Sequence, residues 1–216
     1  MQFEVEIWQH RLSLTTYPAL FSPRGPDAGT MALLQQIELM PEDRVLDLGC
    51  GYGLIGLAVA KKLGARSVVM VDIDPVAVAA ARHNAEQNDC GDVTIVLGDG
   101  PAAALGLTFS LILCNPPYHT DFSVARRLIE QSYRQLETNG RLCLVVKRLD
   151  WYRNKLASLF GGVMVKPVGG YFVLTAIRRN QSTEVQVADL KKDQKMTKKH
   201  ARRIKESQRR HHHSGH

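Results

Sequence analysis

The segment Asn115-Pro116-Pro117-Tyr118 combines residue types that can act on the amino group of a planar molecule. An exocyclic amino nitrogen is a poor nucleophile because its lone pair is delocalised into the ring. Two acceptors, the side-chain oxygen of Asn115 and the backbone carbonyl of Pro116, can bind its two hydrogens and turn the lone pair toward an electrophile. Tyr118 can stack on the target ring, which must be unpaired or flipped out of a helix to enter. The segment therefore predicts transfer of a group to a planar amino or amide nitrogen.

A glycine-rich segment earlier in the chain, Asp47-Leu48-Gly49-Cys50-Gly51-Tyr52-Gly53, follows a short apolar strand and leads into a helix. Glycine lets the backbone turn sharply and lets a ligand lie against bare peptide, and a helix N-terminus offers N–H groups to an anionic group. Dinucleotide binders share such turns. Asp47 narrows the choice, because a carboxylate can hold an ammonium group, which S-adenosylmethionine has and NAD lacks. We expect S-adenosylmethionine, bound by Asp47, Gly49 and Gly51.

Two further acids lie at the ends of the next predicted strands. Asp72 follows the glycines by about 20 residues, where doubly wound folds bind ribose hydroxyls, and Ile73 is expected to pack on the adenine. Asp74 precedes a proline and is interpreted as a helix cap instead. Asp99 lies between two glycines and is predicted to accept a hydrogen bond from the adenine amino group, with a local role in the turn as the alternative.

The elements that must position these residues alternate regularly along the chain. Apolar strands and helices follow one another over residues 44–160, and Gly169-Gly170 joins two final strands as a hairpin. Repeated strand–helix units need right-handed crossovers and produce a parallel sheet covered on both faces. Residues 1–20 alternate in polarity and predict an N-terminal β-hairpin, and Thr30 is interpreted as the cap of the helix that follows.

The whole net charge of +7 lies in the C-terminal tail. From Asp189 onward there are ten Lys/Arg and three Asp/Glu, whereas the preceding 188 residues hold 18 basic and 18 acidic side chains. Such a tail suits a polyanion, because each neutralised phosphate releases condensed counterions. We expect residues 191–210 to bind RNA, with a solvated tail that only aids solubility as the alternative.

Composition indicates the cellular location to expect and the kinds of site to exclude. The 216 residues contain no uninterrupted apolar run of about 18 residues, so no membrane span is expected, and the N-terminus lacks the pattern of a secretory signal. The four cysteines, Cys50, Cys90, Cys114 and Cys143, are widely spaced and form no C-x-x-C pair. We therefore expect reduced thiols, no metal site and a cytoplasmic location.

Residues 1–178 resemble the methyltransferase small domain of class I S-adenosylmethionine-dependent methyltransferases. Within that family they are most similar to the small-subunit ribosomal RNA guanine-N2 methyltransferase C group. The resemblance rests on the N-terminal hairpin, the entry segment from Phe21 to Thr30, the glycine motif, and the run from Asn115 to His119. The implied fold is α/β: a three-layer, doubly wound, Rossmann-like architecture. Its seven-stranded sheet is mostly parallel, with the last strand antiparallel.

The resemblance also implies roles and boundaries. We expect a hairpin extension (residues 1–20) and a methyltransferase domain (21–178) within the resemblance, and a basic, flexible tail (179–216) outside it. The implied activity is methylation of guanine N2 in ribosomal RNA, without a metal. The residues expected to bind the cofactor are Asp47, Gly49, Gly51, Asp72, Ile73, Asp99 and Thr30. Asn115, Pro116 and Tyr118 are expected to act in catalysis, and Tyr118 and His119 to bind the substrate.

Three alternatives use the same residues differently. Protein-glutamine methyltransferases of the release-factor type carry a similar loop for a planar amide, but they have an N-terminal helical domain for which the residues before the glycine motif leave no room. An adenine-N6 methyltransferase would need an insertion that reads bases. A non-catalytic RNA-binding or ribosome-assembly protein could keep the fold, but it would not need Asp47, Asp72, Asp99 and Asn115 together.

Overall fold

The computed structural model describes residues 1–104, 106–117 and 122–179. Within these ranges a seven-stranded sheet and a separate two-stranded hairpin are accompanied by five α-helices. The strands are β1 (Gln2–Ile7), β2 (His10–Thr15), β3 (Val45–Leu48), β4 (Val68–Asp72), β5 (Thr94–Leu97), β6 (Phe109–Cys114), β7 (Leu136–Val146), β8 (Met164–Val168) and β9 (Tyr171–Ile177). The helices are α1 (Ala28–Gln36), α2 (Leu54–Leu63), α3 (Pro75–Gln87), α4 (Phe122–Gln135) and α5 (Leu149–Phe160).

The large sheet has the strand order β5-β4-β3-β6-β7-β9-β8. Strands β3 to β7 are parallel to one another, whereas β9 is antiparallel to both β7 and β8. The expected mostly parallel sheet with an antiparallel last strand is confirmed. Strand β3 is apolar on both faces apart from Asp47 because helices cover it on both sides.

Two apolar clusters lie on opposite faces of this sheet. Helices α1, α2 and α3 and the hairpin β1–β2 pack on one face, where Leu12 and Leu14 of β2 are completely buried. Helices α4 and α5 pack on the other face around Ile129 and Leu156. Successive strand residues alternate between the clusters, as Val45 and Leu46 do. This is the expected three-layer, doubly wound α/β fold with an N-terminal hairpin.

The start of helix α1 differs from the prediction. Asp27, not Thr30, caps the helix: its carboxylate accepts a hydrogen bond from the Thr30 backbone N–H at 2.9 Å. An Asp three residues before the bonded N–H is the usual geometry of a cap, so the helix begins three residues earlier than expected. The cap predicted at Asp74 is confirmed, since its side chain accepts from Val76 N.

Among the described residues, none of the helices has the length and apolar character required to cross a membrane.

Candidate active site

The predicted site residues that the structure describes lie around the carboxyl edge of the sheet. Leu48 at the end of β3 pairs with Cys114 of β6 on one side and with Val71 of β4 on the other. Gly49 and Asn115 directly follow these paired strand ends, so the two segments that start at them leave the sheet side by side. A crevice at the carboxyl ends of parallel strands is where doubly wound folds bind ligands.

The glycine turn (residues 49–53) adopts the left-handed backbone that glycine permits. Gly49, Gly51 and Gly53 have φ values of 72°, 56° and 96°. The turn is fixed from below, because the carbonyl of Val71 accepts from both Gly49 N and Cys50 N at 2.8 and 3.1 Å. A Cβ at Gly49 or Gly51 would meet no atom within 4 Å, so the turn presents bare peptide to open space.

Asp47 lies beneath this turn and caps helix α2 from outside. Gly53 occupies the N-cap position and has no side chain to offer, and the Asp47 Oδ2 accepts from the Gly56 backbone N–H at 2.8 Å instead. The carboxylate is fully buried, and its Oδ1 accepts no hydrogen bond from any described residue. Burial, with a smaller contribution from the charge of Asp72, raises the pKa of Asp47 to about 7.

Asp72 joins the glycine turn to the turn after β4. Its Oδ2 accepts from Gly51 N at 2.8 Å, and its Oδ1 accepts from Asp74 N at 2.9 Å. The next side chain, Ile73, is 65% exposed although it is aliphatic. The exposed Ile73 side chain follows the hydrogen-bonded carboxylate of Asp72 and forms an apolar surface at the position where the sequence predicted an adenine contact.

Asp99 is engaged by a residue that the sequence did not single out. Arg127 of helix α4 donates to both carboxylate oxygens, one of them at 2.8 Å. Hydrogen bonding to this guanidinium lowers the pKa of Asp99. Both side chains are partly exposed, so the ion pair is in contact with solvent.

Asn115 is oriented by helix α1 on the other side of the crevice. Its Nδ2 donates to Asp27 Oδ2 at 3.0 Å and to Thr30 Oγ1 at 2.9 Å. These acceptors identify the nitrogen end of the amide, so Oδ1 is the acceptor at the opposite end. Pro116, which follows, is buried and stiffens the Asn-Pro-Pro loop (residues 115–117).

The structure therefore places Thr30 against Asn115. The predicted contact of Thr30 with a cofactor stays a prediction, as do the binding roles of Asp47, Gly49, Gly51, Asp72, Ile73 and Asp99. Tyr118, His119 and the tail segment 191–210 lie outside the described residues. Within residues 1–104, 106–117 and 122–179, no group of three His, Cys, Asp or Glu side chains could hold a metal ion.

Asp27 and Arg127 were missed by the sequence analysis for different reasons. The spacing Asp27-x-x-Thr30 is that of an N-cap followed by its bonded N–H, and it could have been recognised as the start of α1. No local pattern links Arg127 to Asp99, which lies 28 residues earlier and meets it only when α4 packs on the sheet.

The comparison with known families agrees with this fold. Residues 11–176 match the model of the methyltransferase small domain. The chain belongs to this family.

Relatives of known sequence include proteins named ribosomal RNA small subunit methyltransferase C. The one from Pseudomonas syringae pv. tomato is 32% identical over 82% of this chain and 54% of its own length. The one from Pseudomonas putida W619 is 33% identical over 74% of this chain and 49% of its own length. The chain thus spans about half the length of these curated relatives.

A solved structure with the same fold is the T. thermophilus 16S rRNA N2 methyltransferase in complex with AdoMet and guanosine. It is 28% identical and has a TM-score of 0.74, over 83% of this chain and 50% of that one. A methyltransferase from Pyrococcus furiosus, 21% identical, has a TM-score of 0.64 over 78% of this chain and shows the fold alone.

Proposed function

We propose that this chain transfers a methyl group from S-adenosylmethionine to the N2 amino group of guanine in ribosomal RNA. The observation that carries the proposal is the orientation of the Asn115 amide. Helix α1 binds its nitrogen through Asp27 and Thr30, which makes the oxygen the acceptor end of the amide, on a residue that directly follows the strand paired with β3. The likeness to an rRNA N2 methyltransferase that holds AdoMet and guanosine supports the same assignment.

The residues around the glycine turn fit S-adenosylmethionine. Gly49 and Gly51 leave open space for the methionine portion, Asp72 and exposed Ile73 suit the ribose and adenine, and Asp47 holds a buried oxygen that lacks a hydrogen-bond donor among the described residues. An ammonium group would supply that donor. When bound, the cofactor supplies an electrophilic methyl group on a positively charged sulfur.

The Asn-Pro-Pro loop would act by orientation and polarisation. The Asn115 Oδ1 and the Pro116 carbonyl would accept the two hydrogens of the guanine amino group and turn its lone pair away from the ring plane. The methylated nitrogen then loses its extra proton to water, so no general base is required. Tyr118 would stack on the guanine and His119 would help to position it.

RNA as the substrate is supported by the tail and by the relatives' names. Ten Lys/Arg against three Asp/Glu after residue 188 would neutralise phosphates beyond the catalytic domain. We propose the division into hairpin (residues 1–20), catalytic domain (21–178) and basic tail (179–216) on this basis. A ribosomal RNA substrate also implies a cytoplasmic location.

The direct test is a methylation assay on small-subunit rRNA and assembled subunits, with nucleosides identified by mass spectrometry. N2-methylguanosine should form with the wild type and should form about 10²–10³ times more slowly with Asn115→Ala. Methylated glutamine in a release factor or N6-methyladenosine would overturn the assignment. Failure to bind S-adenosylmethionine in calorimetry would overturn the enzyme assignment altogether.

The tail has a separate test. Deleting residues 190–216 should weaken RNA binding and make its dependence on salt less steep, because fewer counterions are released. For single-stranded RNA, each lost phosphate contact reduces the steepness of the plot of log K against log salt concentration by about 0.7. An unchanged slope would mean that the tail only aids solubility.

A further inference from the structure

The N-terminal hairpin and the glycine turn share a single buried side chain. Asn84 lies in the middle of helix α3 and is completely buried. Its Nδ2 donates to the carbonyl of Tyr52, inside the glycine turn, at 2.8 Å. The same amide accepts from Thr15 N and donates to Thr15 O of the hairpin, both at 2.8 Å.

Through these bonds the side chain of Asn84 pairs with the backbone of Thr15 as a neighbouring strand would. Thr15 directs its N–H and C=O away from β1, so without a partner the outer edge of β2 would bury unpaired backbone groups. An Asn side chain carries the same acceptor and donor as a peptide group. Its second N–H is then left to bind the Tyr52 carbonyl, which ties the edge of the hairpin to the turn.

The hairpin also contacts the turn through an aromatic pair. The ring of Phe3 in β1 meets the Tyr52 ring edge-on, with 5.8 Å between the centroids. Tyr52 is itself buried. Its carbonyl and its ring are thus both held by elements outside the turn, whereas Gly51 and Gly53 on either side have no side chain with which to fix the backbone.

We propose that Asn84 is a positioning residue for the cofactor: it transmits the hairpin's packing to the glycine turn and keeps the turn in its binding conformation. The inference rests on the proposed use of S-adenosylmethionine by that turn. It predicts that the hairpin contributes to cofactor affinity without touching the cofactor.

Asn88, one helical turn later, offers a matched control. It is also buried, accepts from Ser13 N, and donates to Ser13 O and to Asn84 O, at 2.9, 2.8 and 2.7 Å. It therefore makes the same number of bonds and the same kind of attachment to β2, but none to the glycine turn. Asn84→Ala and Asn88→Ala should lower the melting temperature by similar amounts.

The experiment measures S-adenosylmethionine binding by calorimetry and the split between KM and kcat for both variants. Asn84→Ala should weaken binding by about ten-fold, as expected for a buried acceptor left without its donor, with kcat nearly unchanged at saturating cofactor. Asn88→Ala should retain the wild-type Kd. Equal Kd values for the two variants, or a loss confined to kcat, would overturn the proposal.

Two further measurements keep the test decisive. The first is for the case in which Asn84→Ala does not fold. Phe3→Leu then removes the ring contact without breaking a hydrogen bond, and it should still raise the Kd for S-adenosylmethionine. An unchanged Kd counts against the proposal. Hydrogen exchange of the amides of residues 49–53 without cofactor should be faster in Asn84→Ala than in Asn88→Ala, and equal rates would contradict the coupling. A wild type that binds no S-adenosylmethionine would instead refute the proposed function while leaving the exchange result to judge Asn84.

Discussion

The two sides of the crevice are held in different ways. On the glycine-turn side, backbone N–H groups donate to the carboxylates of Asp47 and Asp72, which lie 9 and 21 residues from their donors. On the Asn-Pro-Pro side, Asn115 is held by the side chains of Asp27 and Thr30, which are 88 and 85 residues away. One side is built from local peptide groups, and the other from side chains that the fold brings together.

Under the proposed function, this difference would separate cofactor binding from catalysis. Backbone donors stay in place when most side chains change, so the glycine-turn side should lose affinity when a carboxylate, a glycine or a side chain that positions the turn, such as Asn84, is replaced. The orientation of Asn115 depends on individual side chains of another element. We expect substitutions there to reduce turnover while leaving cofactor affinity intact.

The largest effect is expected for Asn115→Ala. It removes an acceptor that acts mainly in the transition state, so kcat should fall by about 10²–10³ with an unchanged Kd for S-adenosylmethionine. Single-turnover methylation and calorimetry on the same preparation provide the measurement. A parallel loss of cofactor affinity would abolish the distinction between the two sides.

Asp47 gives the next largest effect, on the pH dependence of stability. Burial raises its pKa from 3.8 to about 7 in the folded protein, so the folded state binds the proton more tightly than the unfolded chain. The associated stability is complete below about pH 4 and is lost as the pH rises through 7, by an amount on the order of 4 kcal/mol.

Asp47→Asn removes this titration while keeping an oxygen for the Gly56 N–H. Denaturant unfolding between pH 4 and 8 should show wild-type stability falling relative to the variant. Parallel curves would mean that Asp47 is ionised throughout that range.

Asp27→Ala should affect both stability and turnover. Loss of the cap costs about 1 kcal/mol, and loss of one Asn115 contact should lower kcat by about ten-fold. Asp74→Ala is the matched control, because it removes an equivalent cap, the hydrogen bond from Val76 N in α3, whereas the amide of Asn115 donates to Asp27 and Thr30. If both variants reduced kcat equally, general destabilisation would explain the result.

The smallest effect is expected for Arg127→Gln. Exposed ion pairs contribute about 0–1 kcal/mol, so the melting temperature should hardly change. If Asp99 binds the adenine amino group, releasing it from Arg127 should alter the cofactor Kd by no more than a few-fold. A loss of binding as large as that of Asp72→Ala would assign Arg127 itself to the cofactor site.

The sequence predicted the sheet well because its signals are local. Apolar strands, glycine turns and the cap at Asp74 depend on neighbours in the chain. Repeated strand–helix units then imply parallel strands, whose carboxyl ends meet at one edge of the sheet. The links from Asp27 to Asn115 and from Asn84 to Tyr52 could not be predicted. They join residues 88 and 32 positions apart, and each donor or acceptor could equally face solvent until the helices pack.

The double use of Asp27 has a consequence for biosynthesis. Its carboxylate can cap α1 as soon as the first turn of that helix has formed, since both groups are local. Its second partner, Asn115, is synthesised 88 residues later and reaches it only after β6 has joined β3. The contacts of the glycine turn with Asp47, Asp72 and Asn84 lie within residues 47–84, so the part of the proposed site that acts on the amino group is the last to be synthesised.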